Sequence, residues 1–382
     1  MKRSIKTRLA LFLLPLFVGI ICIFCAHEVE PRYIQFIYSS DAHYGLFREF
    51  DGRENVSSSE VNRVMIEKMN LLPQLLLPQD GGVKQGKPIR YIDFVINTGD
   101  IANRMEDGVQ SAASSWNEFS SDWLSGLDVK DKKGEKAPLY LLPGNHDVSN
   151  AIGHYRFADR KKDATSLTEI YNRMMLPGTF LNEETYDYSR NKVNYSFSMD
   201  GIHFAFVGMW PDSKARKWLD KDLRQLNGAY PCLLFTHDEP DVEAKHLINP
   251  LGDHSINATD KFENLLCDTS SVTDPQAAPV KERQQLADFM EAHPVIKAYF
   301  HGNTNYNEYY VWRGPENNIS LDVFRVDSPM KGEFSSQDDS LLSFQLVVID
   351  VVAKKMTVRE CFWNTGSAER PVIWGEAKTI SL

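Results

Sequence analysis

Five short apolar segments of this sequence each end in residues that can bind a metal ion or transfer a proton. The residues at these ends are Asp41 with His43, Asp100, the run from Asn145 to Asp147, His237, and the stretch from His301 to Asn305. Each apolar segment has the length and composition of a buried strand. Because open α/β sheets build their sites beyond the carboxyl ends of strands, we expect the five ends to form one site.

The residue types and spacing favour a metal site. In an extended segment residues i and i+2 point the same way, so Asp41 and His43 can face one ion. Asp100 follows a glycine and can offer its two oxygens to two ions. A set of carboxylate, imidazole and amide ligands without thiolate suits manganese, iron or zinc. Two such ions, roughly 3.5–4 Å apart, could activate a shared water and orient a phosphate.

The elements that carry these residues alternate between strands and helices. Strands are predicted over 33–38 and 91–96 and in the apolar run that begins at Pro138, with helices after Ser57 and over 115–127 between them. This order is typical of an α/β domain with a largely parallel sheet and right-handed crossovers.

The second half of the chain begins with a predicted hairpin of strands 193–198 and 202–207, which indicates a second, antiparallel sheet. Further strands are predicted over 232–235, 295–300, 319–326, 344–352 and 355–362, with helices over 213–226 and 281–293. We assign the last three strands to this second sheet. The polar, weakly patterned stretch 239–278 is interpreted as an inserted surface loop near the site.

The N-terminus has the features of an export signal. Four basic residues within the first eight precede the apolar run 9–26, which is either a cleaved signal peptide or a membrane anchor. We therefore expect the body of the protein, residues 31–382, to form a single domain outside the cytoplasm, either periplasmic or secreted.

Charge and cysteine content restrict the alternatives. The formal charge of −10 and the pI near 5.5 do not indicate a basic surface that would bind nucleic acid. Beyond the N-terminal segment only Cys232, Cys267 and Cys361 remain, so at most one disulfide can form. Cys232 lies in an apolar run and is interpreted as a buried, inert thiol.

The chain contains, in this order, the motifs Asp41-x-His43, Gly99-Asp100, Gly144-Asn-His-Asp147, His237 and Gly302-Asn-Thr-Asn305. Over 33–305 these motifs resemble those of the calcineurin-like metallophosphoesterases. The resemblance implies an α/β fold, a four-layer sandwich of two mixed β-sheets flanked by helices. It also implies a dinuclear site that binds manganese, iron or zinc. We expect a small-molecule or lipid phosphate ester as the substrate.

The resemblance also implies a role for each matching residue. The implied metal ligands are Asp41 and His43 for the first ion, Asp100 as the bridge, Asn145 and His237 for the second ion, and the positions of Asn303 and Asn305 to complete the set. His146 would act near the leaving group and Asp147 would orient it. A hydroxide that bridges the metals would attack phosphorus in line.

One motif departs from the family pattern. The family usually has Gly-His-x-His at its end, whereas this chain has asparagine at both histidine positions, Asn303 and Asn305. An amide oxygen can coordinate a metal but is a weaker donor than imidazole, and His301 could substitute through a local shift. Two functions therefore stay open: an exported phosphoesterase acting on a phosphomonoester or phosphodiester, or a catalytically weakened or inactive phosphate-binding or scaffold protein on the same fold.

Overall fold

Two six-stranded sheets form the centre of the fold. In spatial order, the first sheet contains Ile373–Ser381 (β14), Lys355–Phe362 (β13), Ser343–Asp350 (β12), Tyr33–Ser39 (β1), Phe94–Asn97 (β4) and Leu139–Leu141 (β5). The second contains Glu308–Trp312 (β10), Leu321–Arg325 (β11), Ile296–His301 (β9), Cys232–Phe235 (β8), Ile202–Val207 (β7) and Asn194–Met199 (β6). A separate hairpin pairs Phe47–Phe50 (β2) with Arg53–Ser57 (β3).

The computed structural model describes residues 31–103, 110–147, 164–187, 190–242, 277–365 and 371–382. Residues 31–382 form one compact unit. The predicted signal or anchor at 1–26 and most of the predicted insertion, 243–276, lie outside the described residues. Within the described ranges no helix is long and apolar enough to cross a membrane.

The α-helices of the described residues are Ser58–Leu71 (α1), Ala112–Phe119 (α2), Thr165–Met175 (α3), Ser213–Gln225 (α4) and Ala277–Ala292 (α5), and a π-helical segment, Ser120–Ser125, continues α2. The start of α1 is encoded locally, because the Ser57 hydroxyl accepts the Glu60 N–H at 3.3 Å, as the sequence predicts. Buried Val61, Met65 and Met69 recur at helical spacing along α1, so one face of this helix packs into the core.

Aromatic side chains fill the space between the two sheets. The Phe36 ring of β1 lies 6.0 Å from the Phe204 ring of β7 and 5.9 Å from the Phe235 ring of β8. Phe300 of β9 stacks on Phe235 at 4.7 Å. Burial of these rings and their edge-to-face and stacked contacts join the two sheets face to face.

The outer face of the second sheet packs on α4 and α5. Leu219 of α4 and Leu286 of α5 belong to the same buried cluster as Leu234 and Tyr299, which alternate along their strands with residues of the inter-sheet core. Together with α1 on the first sheet, these helices complete a mixed α/β sandwich of two sheets flanked by helices. The predicted fold class is confirmed.

The last strands belong to a different sheet from the one predicted. β12 pairs antiparallel with β1, and β13 and β14 follow it, so these strands extend the first sheet. Of the three strands assigned to the second sheet, β11 alone joins it. The second sheet is also mixed and not antiparallel, because β7, β8, β9 and β11 run parallel to one another. An apolar run shows that a strand is buried but not which partner it pairs with. Cys232 and Cys361 are buried free thiols, whereas Cys267 lies outside the described residues.

Candidate metal centre

The predicted site residues meet at one edge of both sheets. Strands β1, β4 and β5 run parallel to one another in the first sheet, and β8 and β9 run parallel in the second. The polar residues that follow them are Asp41 and His43 after β1, Asp100 after β4, Asn145, His146 and Asp147 after β5, His237 after β8, and Asn303 and Asn305 after β9. Strand direction therefore collects residues that lie up to about 260 positions apart in the chain.

Asp100 lies between two groups of metal-binding side chains. Its Oδ2 atom is 3.6 Å from His43 Nε2 and 3.8 Å from His146 Nε2. Its Oδ1 atom is 3.4 Å from His237 Nε2, and the ligand atoms of Asp41, Asp100 and His237 lie within 4.8 Å of one another. Each carboxylate oxygen thus faces a different group, which is the arrangement that a bridging ligand requires.

The local backbone that positions these ligands differs from the extended one expected. Asp41 and His43 have φ values of 57° and 44°, in the left-handed region, and Asp100 has 52°. The Asp41 N–H donates to the Gly99 carbonyl at 2.9 Å, and the His43 N–H donates to the Asp100 carbonyl at 2.8 Å. Hydrogen bonds to the neighbouring loop therefore hold these residues in an unusual backbone conformation, as is common at functional sites.

Two glycines allow the loops to approach closely. A Cβ atom on Gly144 would lie 2.2 Å from Asp100 Oδ1 and 2.6 Å from His237 Cε1. A Cβ atom on Gly302 would lie 2.2 Å from Asp41 Oδ2. Any side chain at either position would displace a candidate ligand, which explains why glycine precedes the polar residues in both motifs.

Asp147 contacts the backbone of the site loops. One of its oxygens accepts the N–H groups of Gly144 at 2.9 Å and Ile101 at 3.2 Å, and the other accepts that of Ala102 at 3.0 Å. Burial, together with the negative charge of Asp100, raises the pKa of Asp147 to about 6. These bonds fix the turn that carries His146, and the orienting role predicted for Asp147 stays a prediction.

Asn145 and His237 face each other across the site. Asn145 Oδ1 is 2.9 Å from His237 Nε2, and His237 Nδ1 is 3.0 Å from the Thr98 carbonyl. Burial alone would lower the pKa of His237, but the carboxylate of Asp100 raises it to about 10. The field of Asp100 thus favours a positive charge at this position, which either an imidazolium proton or a metal ion would supply.

Asn303 and Asn305, the two asparagines of the last motif, make different contacts. The Asn303 amide nitrogen donates to Asp238 Oδ1 at 2.6 Å, and the Asn303 N–H donates to Asp41 Oδ2 at 3.0 Å. The Asn305 amide nitrogen donates to the Asn303 carbonyl at 2.6 Å, and Asn305 Oδ1 is buried without a hydrogen-bond partner. Asn305 Oδ1 is therefore an available acceptor that can coordinate a cation.

His301 lies outside both groups of candidate ligands. Its Nε2 atom is 3.1 Å from the Tyr310 hydroxyl, and its Nδ1 atom is 3.0 Å from the Gly302 carbonyl. Burial, with a contribution from the charge of Arg325, holds its pKa well below the usual range. The local shift considered above, in which His301 replaces a missing histidine ligand, does not occur among the described contacts.

The unsatisfied polar atoms of the site fit a metal centre. Five buried polar atoms have no hydrogen-bond partner among the described residues: Asp41 Oδ1, both ring nitrogens of His43, His146 Nδ1 and Asn305 Oδ1. Leaving a buried polar atom unpaired costs about 1–3 kcal/mol, so native proteins rarely gather several in one place. Coordination of cations would satisfy ligand atoms of this kind, and the donor types match the metals that the sequence favours.

The electrostatics of the site keep Asp100 ionised. Burial would raise its pKa, but the charges of His237 and His146 hold it well below the usual range. The pKa of His146 is itself held well below normal, mainly by burial and also by the nearby ammonium of Lys331. Asp100 therefore stays charged, which is the state of the carboxylate that metal binding needs.

Lys331 is the residue near the site that sequence reasoning missed. Its Nζ atom lies 3.2 Å from His146 Nε2. It belongs to the loop that follows β11, and β11 pairs parallel with β9, so its carboxyl end reaches the same edge as the other site loops. The predicted strand over 319–326 was therefore the signal that could have revealed this loop.

Comparison with solved structures finds chains of low sequence identity. Purple acid phosphatase PPD1 from yellow lupin (Lupinus luteus) is 11% identical over 92% of this chain, with a TM-score of 0.49, and the chain spans 54% of the lupin protein's length. Calcineurin-like phosphoesterase YfkN from Bacillus subtilis is 9% identical, with 92% of this chain and 90% of that one covered and a TM-score of 0.31. Vps29 from Entamoeba histolytica is 9% identical, with 91% and 99% covered and a TM-score of 0.31.

The family comparison covers most of the site. No curated protein sequence matches the chain. Residues 40–302, which include the first four motifs and the start of the fifth, match the calcineurin-like phosphoesterase family. The match spans more than half of the chain and agrees with the fold and with the convergence of the motif residues. The chain therefore belongs to the calcineurin-like phosphoesterase family.

Proposed function

We propose that the protein is an exported phosphoesterase that hydrolyses a phosphomonoester or phosphodiester with the help of two metal ions. The observation that carries the proposal is the position of Asp100, whose two oxygens face two separate groups of buried ligands. A family fold alone does not give an activity. A shared carboxylate between two such groups is the feature that a dinuclear hydrolytic site requires.

The residues of the chain divide into two sets of ligands in this proposal. The first ion would be held by Asp41 and His43, whose Oδ1 and Nε2 atoms lie 3.6 Å apart, and by one oxygen of Asp100. The second would be held by the other oxygen of Asp100, Asn145 and His237, and the Asp41 carboxylate also lies close to this group. Asn305 Oδ1 is a further available donor. When bound, the metals supply an activated water and positive charge for the phosphoryl oxygens. We propose manganese, iron or zinc as the occupants because the donors are carboxylate, imidazole and amide.

His146 is buried beside the bridging position of this arrangement. Its backbone N–H donates to Asp100 Oδ1 at 2.8 Å, which fixes the residue next to the bridging carboxylate. Its ring meets that of His43 edge to face at 5.0 Å. We propose that His146, whose Nε2 atom receives a hydrogen bond from Lys331, lies next to the leaving group of the substrate.

The cellular location and substrate extend the proposal. The basic and apolar N-terminus supports export, with the segment either removed or kept as an anchor in the membrane. A location outside the cytoplasm agrees with a small-molecule or lipid phosphate ester as the substrate.

A second candidate function is a phosphate-binding or scaffold protein with weakened or no catalysis. It is favoured by one observation, which is that the Asn303 amide is held by Asp238 at 2.6 Å where the family usually has a histidine ligand. Metal content separates the two candidates. Two ions per chain together with turnover support the enzyme, whereas one ion or none, with phosphate binding and no turnover, supports the scaffold.

The proposed enzyme is tested with purified protein loaded with manganese, iron or zinc, an aryl phosphate and a bis-aryl phosphodiester. Asp100→Asn should lower turnover by about 1000-fold, because it removes the charge shared by both ions. Asp128→Asn, an equivalent change at a side chain that is 69% exposed, should leave turnover unchanged. A correctly folded wild type that cleaves neither ester with any metal, or an Asp100→Asn variant with undiminished turnover, would refute the proposal.

A further inference from the structure

Lys331 places a positive charge beside the candidate metal centre. Its Nζ atom is 3.2 Å from His146 Nε2, and His146 Nε2 is 3.8 Å from Asp100 Oδ2. An ammonium group can only donate hydrogen bonds, so His146 accepts at Nε2 in this contact. Lys331 lies beyond the family match, which ends at residue 302, and no motif accounts for it.

The loop that carries Lys331 is tied to two candidate ligands. The Ser328 hydroxyl donates to the Asp41 carbonyl at 2.8 Å and accepts the Lys331 N–H at 2.9 Å. The Glu333 N–H donates to the Asn305 carbonyl at 2.7 Å. The backbone on both sides of Lys331 is thus fixed relative to the metal centre, which is how a binding site holds a charged group in place.

A third contact fixes the same loop from the side of β2. Arg48 donates to the Pro329 carbonyl at 2.7 Å and also to the Ser335 carbonyl. Ser328 is fully buried, whereas Lys331 is only partly buried. The loop is therefore anchored at buried Ser328, and Lys331 lies in its more exposed part.

The charge of Lys331 acts on the side of the site formed by His43 and His146. Its Nζ atom lies 3.2 Å from His146 Nε2, and the His146 ring meets the His43 ring edge to face at 5.0 Å. The ammonium therefore places a positive charge on this side, next to the position where the phosphoryl group of a substrate would bind.

We propose that Lys331 binds a non-bridging oxygen of the phosphoryl group, and that its charge makes the site prefer phosphomonoester dianions to phosphodiester monoanions. This inference rests on the proposed function of the site. An ammonium carries three N–H donors, so Lys331 can keep its bond to His146 and also donate to the substrate. A monoester dianion carries one more negative charge than a diester, so a nearby cation attracts the monoester more strongly.

The test compares Lys331→Gln and Lys331→Arg with the wild type, all metal-loaded and at about pH 8, above the second phosphate pKa near 6. The readouts are kcat/KM for an aryl phosphate and for a bis-aryl phosphodiester, and the Kd for inorganic phosphate from calorimetry. Lys87→Gln, a change at an exposed lysine in the loop before β4, is the matched control.

We expect Lys331→Gln to lose about 10- to 100-fold in kcat/KM toward the aryl phosphate and in phosphate affinity, which is the usual contribution of a charged hydrogen bond. Its loss toward the diester should stay within about 3-fold, since the diester lacks the second charge. Lys331→Arg should keep most of the phosphate affinity because it keeps the charge. Metal content should be the same in all variants.

Equal losses toward both esters would overturn the proposal, because they would show that Lys331 only positions His146. Unchanged phosphate affinity in Lys331→Gln, or an Arg variant no better than the Gln variant, would overturn it as well. Failure of the proposed function would appear separately, as a wild type that hydrolyses neither ester. In that case the phosphate titration alone decides whether Lys331 binds the phosphoryl oxygens.

Discussion

The buried carboxyl of Asp327 gives a prediction about stability that does not depend on metal or substrate. Asp327 is 4% exposed and lies in the loop after β11, where its Oδ2 atom is 3.4 Å from the Ser343 N–H. Burial raises its pKa to about 8, and the charge of Arg48 opposes that rise only weakly. In the unfolded chain the same carboxyl titrates near its ordinary value of about 3.9.

The sign of the pH dependence follows from these two values. Between about pH 4 and about pH 8 the folded protein holds a proton on Asp327 that the unfolded chain releases, so the free energy of unfolding falls as the pH rises. The slope is about 1.4 kcal/mol per pH unit, which amounts to roughly 4 kcal/mol between about pH 5 and about pH 8. Asp327→Asn removes this titration and should lose that part of the pH dependence.

The measurement is urea unfolding of wild type and Asp327→Asn at several pH values across this window. The difference in unfolding free energy, variant minus wild type, should rise by roughly 4 kcal/mol from about pH 5 to about pH 8, whatever its constant offset. Asp128→Asn is the control, because the pKa of Asp128 is lowered by Lys130 and the exposed carboxyl stays ionised throughout. A difference that is flat with pH would refute the assignment of a raised pKa to Asp327.

Two further predictions concern the metal ligands. Gly144→Ala puts a methyl group 2.2 Å from Asp100 Oδ1, so we expect loss of at least one metal ion by elemental analysis and a fall in turnover of about 100-fold or more. The control Gly178→Ala, with no atom near its new methyl group, should change neither the metal content nor the turnover. Full metal content in the Gly144 variant would contradict the close-approach argument. Asn303→His offers a stronger donor beside Asp41, so metal affinity measured by chelator competition should rise by about 10-fold or more, and an unchanged affinity would show that this position does not face a metal.

The sequence predicts the part of the site that follows strands in regular order. Asp41, Asp100 and Asn145 each end an apolar run in a parallel sheet, so periodicity and strand direction are enough to bring them together. The geometry of Asp41 and His43 could not be predicted in the same way. Their left-handed backbone depends on hydrogen bonds to the Gly99 and Asp100 loop, which is distant in sequence.

The errors at the C-terminus have two physical causes, which are unpredicted strand pairing and the exposure of an edge strand. β12 and β13 are recognisable as strands from their apolar runs, but pairing of β12 with β1 joins residues more than 300 positions apart. β14 is mostly exposed at the edge of the first sheet, so its sequence lacks the apolar run by which a buried strand is recognised. Lys331 was missed because, as for β12, the sequence does not show which strands pair: the pairing of β11 with β9 brings its loop to the site.

The exchange of histidine for asparagine in the last motif alters donor strength and not the charge of the site. A metal-bound histidine is neutral, and so is an asparagine, so Asn303 and Asn305 leave the formal charge of the ligand set unchanged. What changes is the affinity for the ion, because an amide oxygen is a weaker ligand than imidazole for zinc or iron. In the proposed site a phosphate group would then depend more on charges that do not come from the metals. The loop that carries Lys331 is fixed to the carbonyls of Asp41 and Asn305 through Ser328 and Glu333, in a position where such a charge can act.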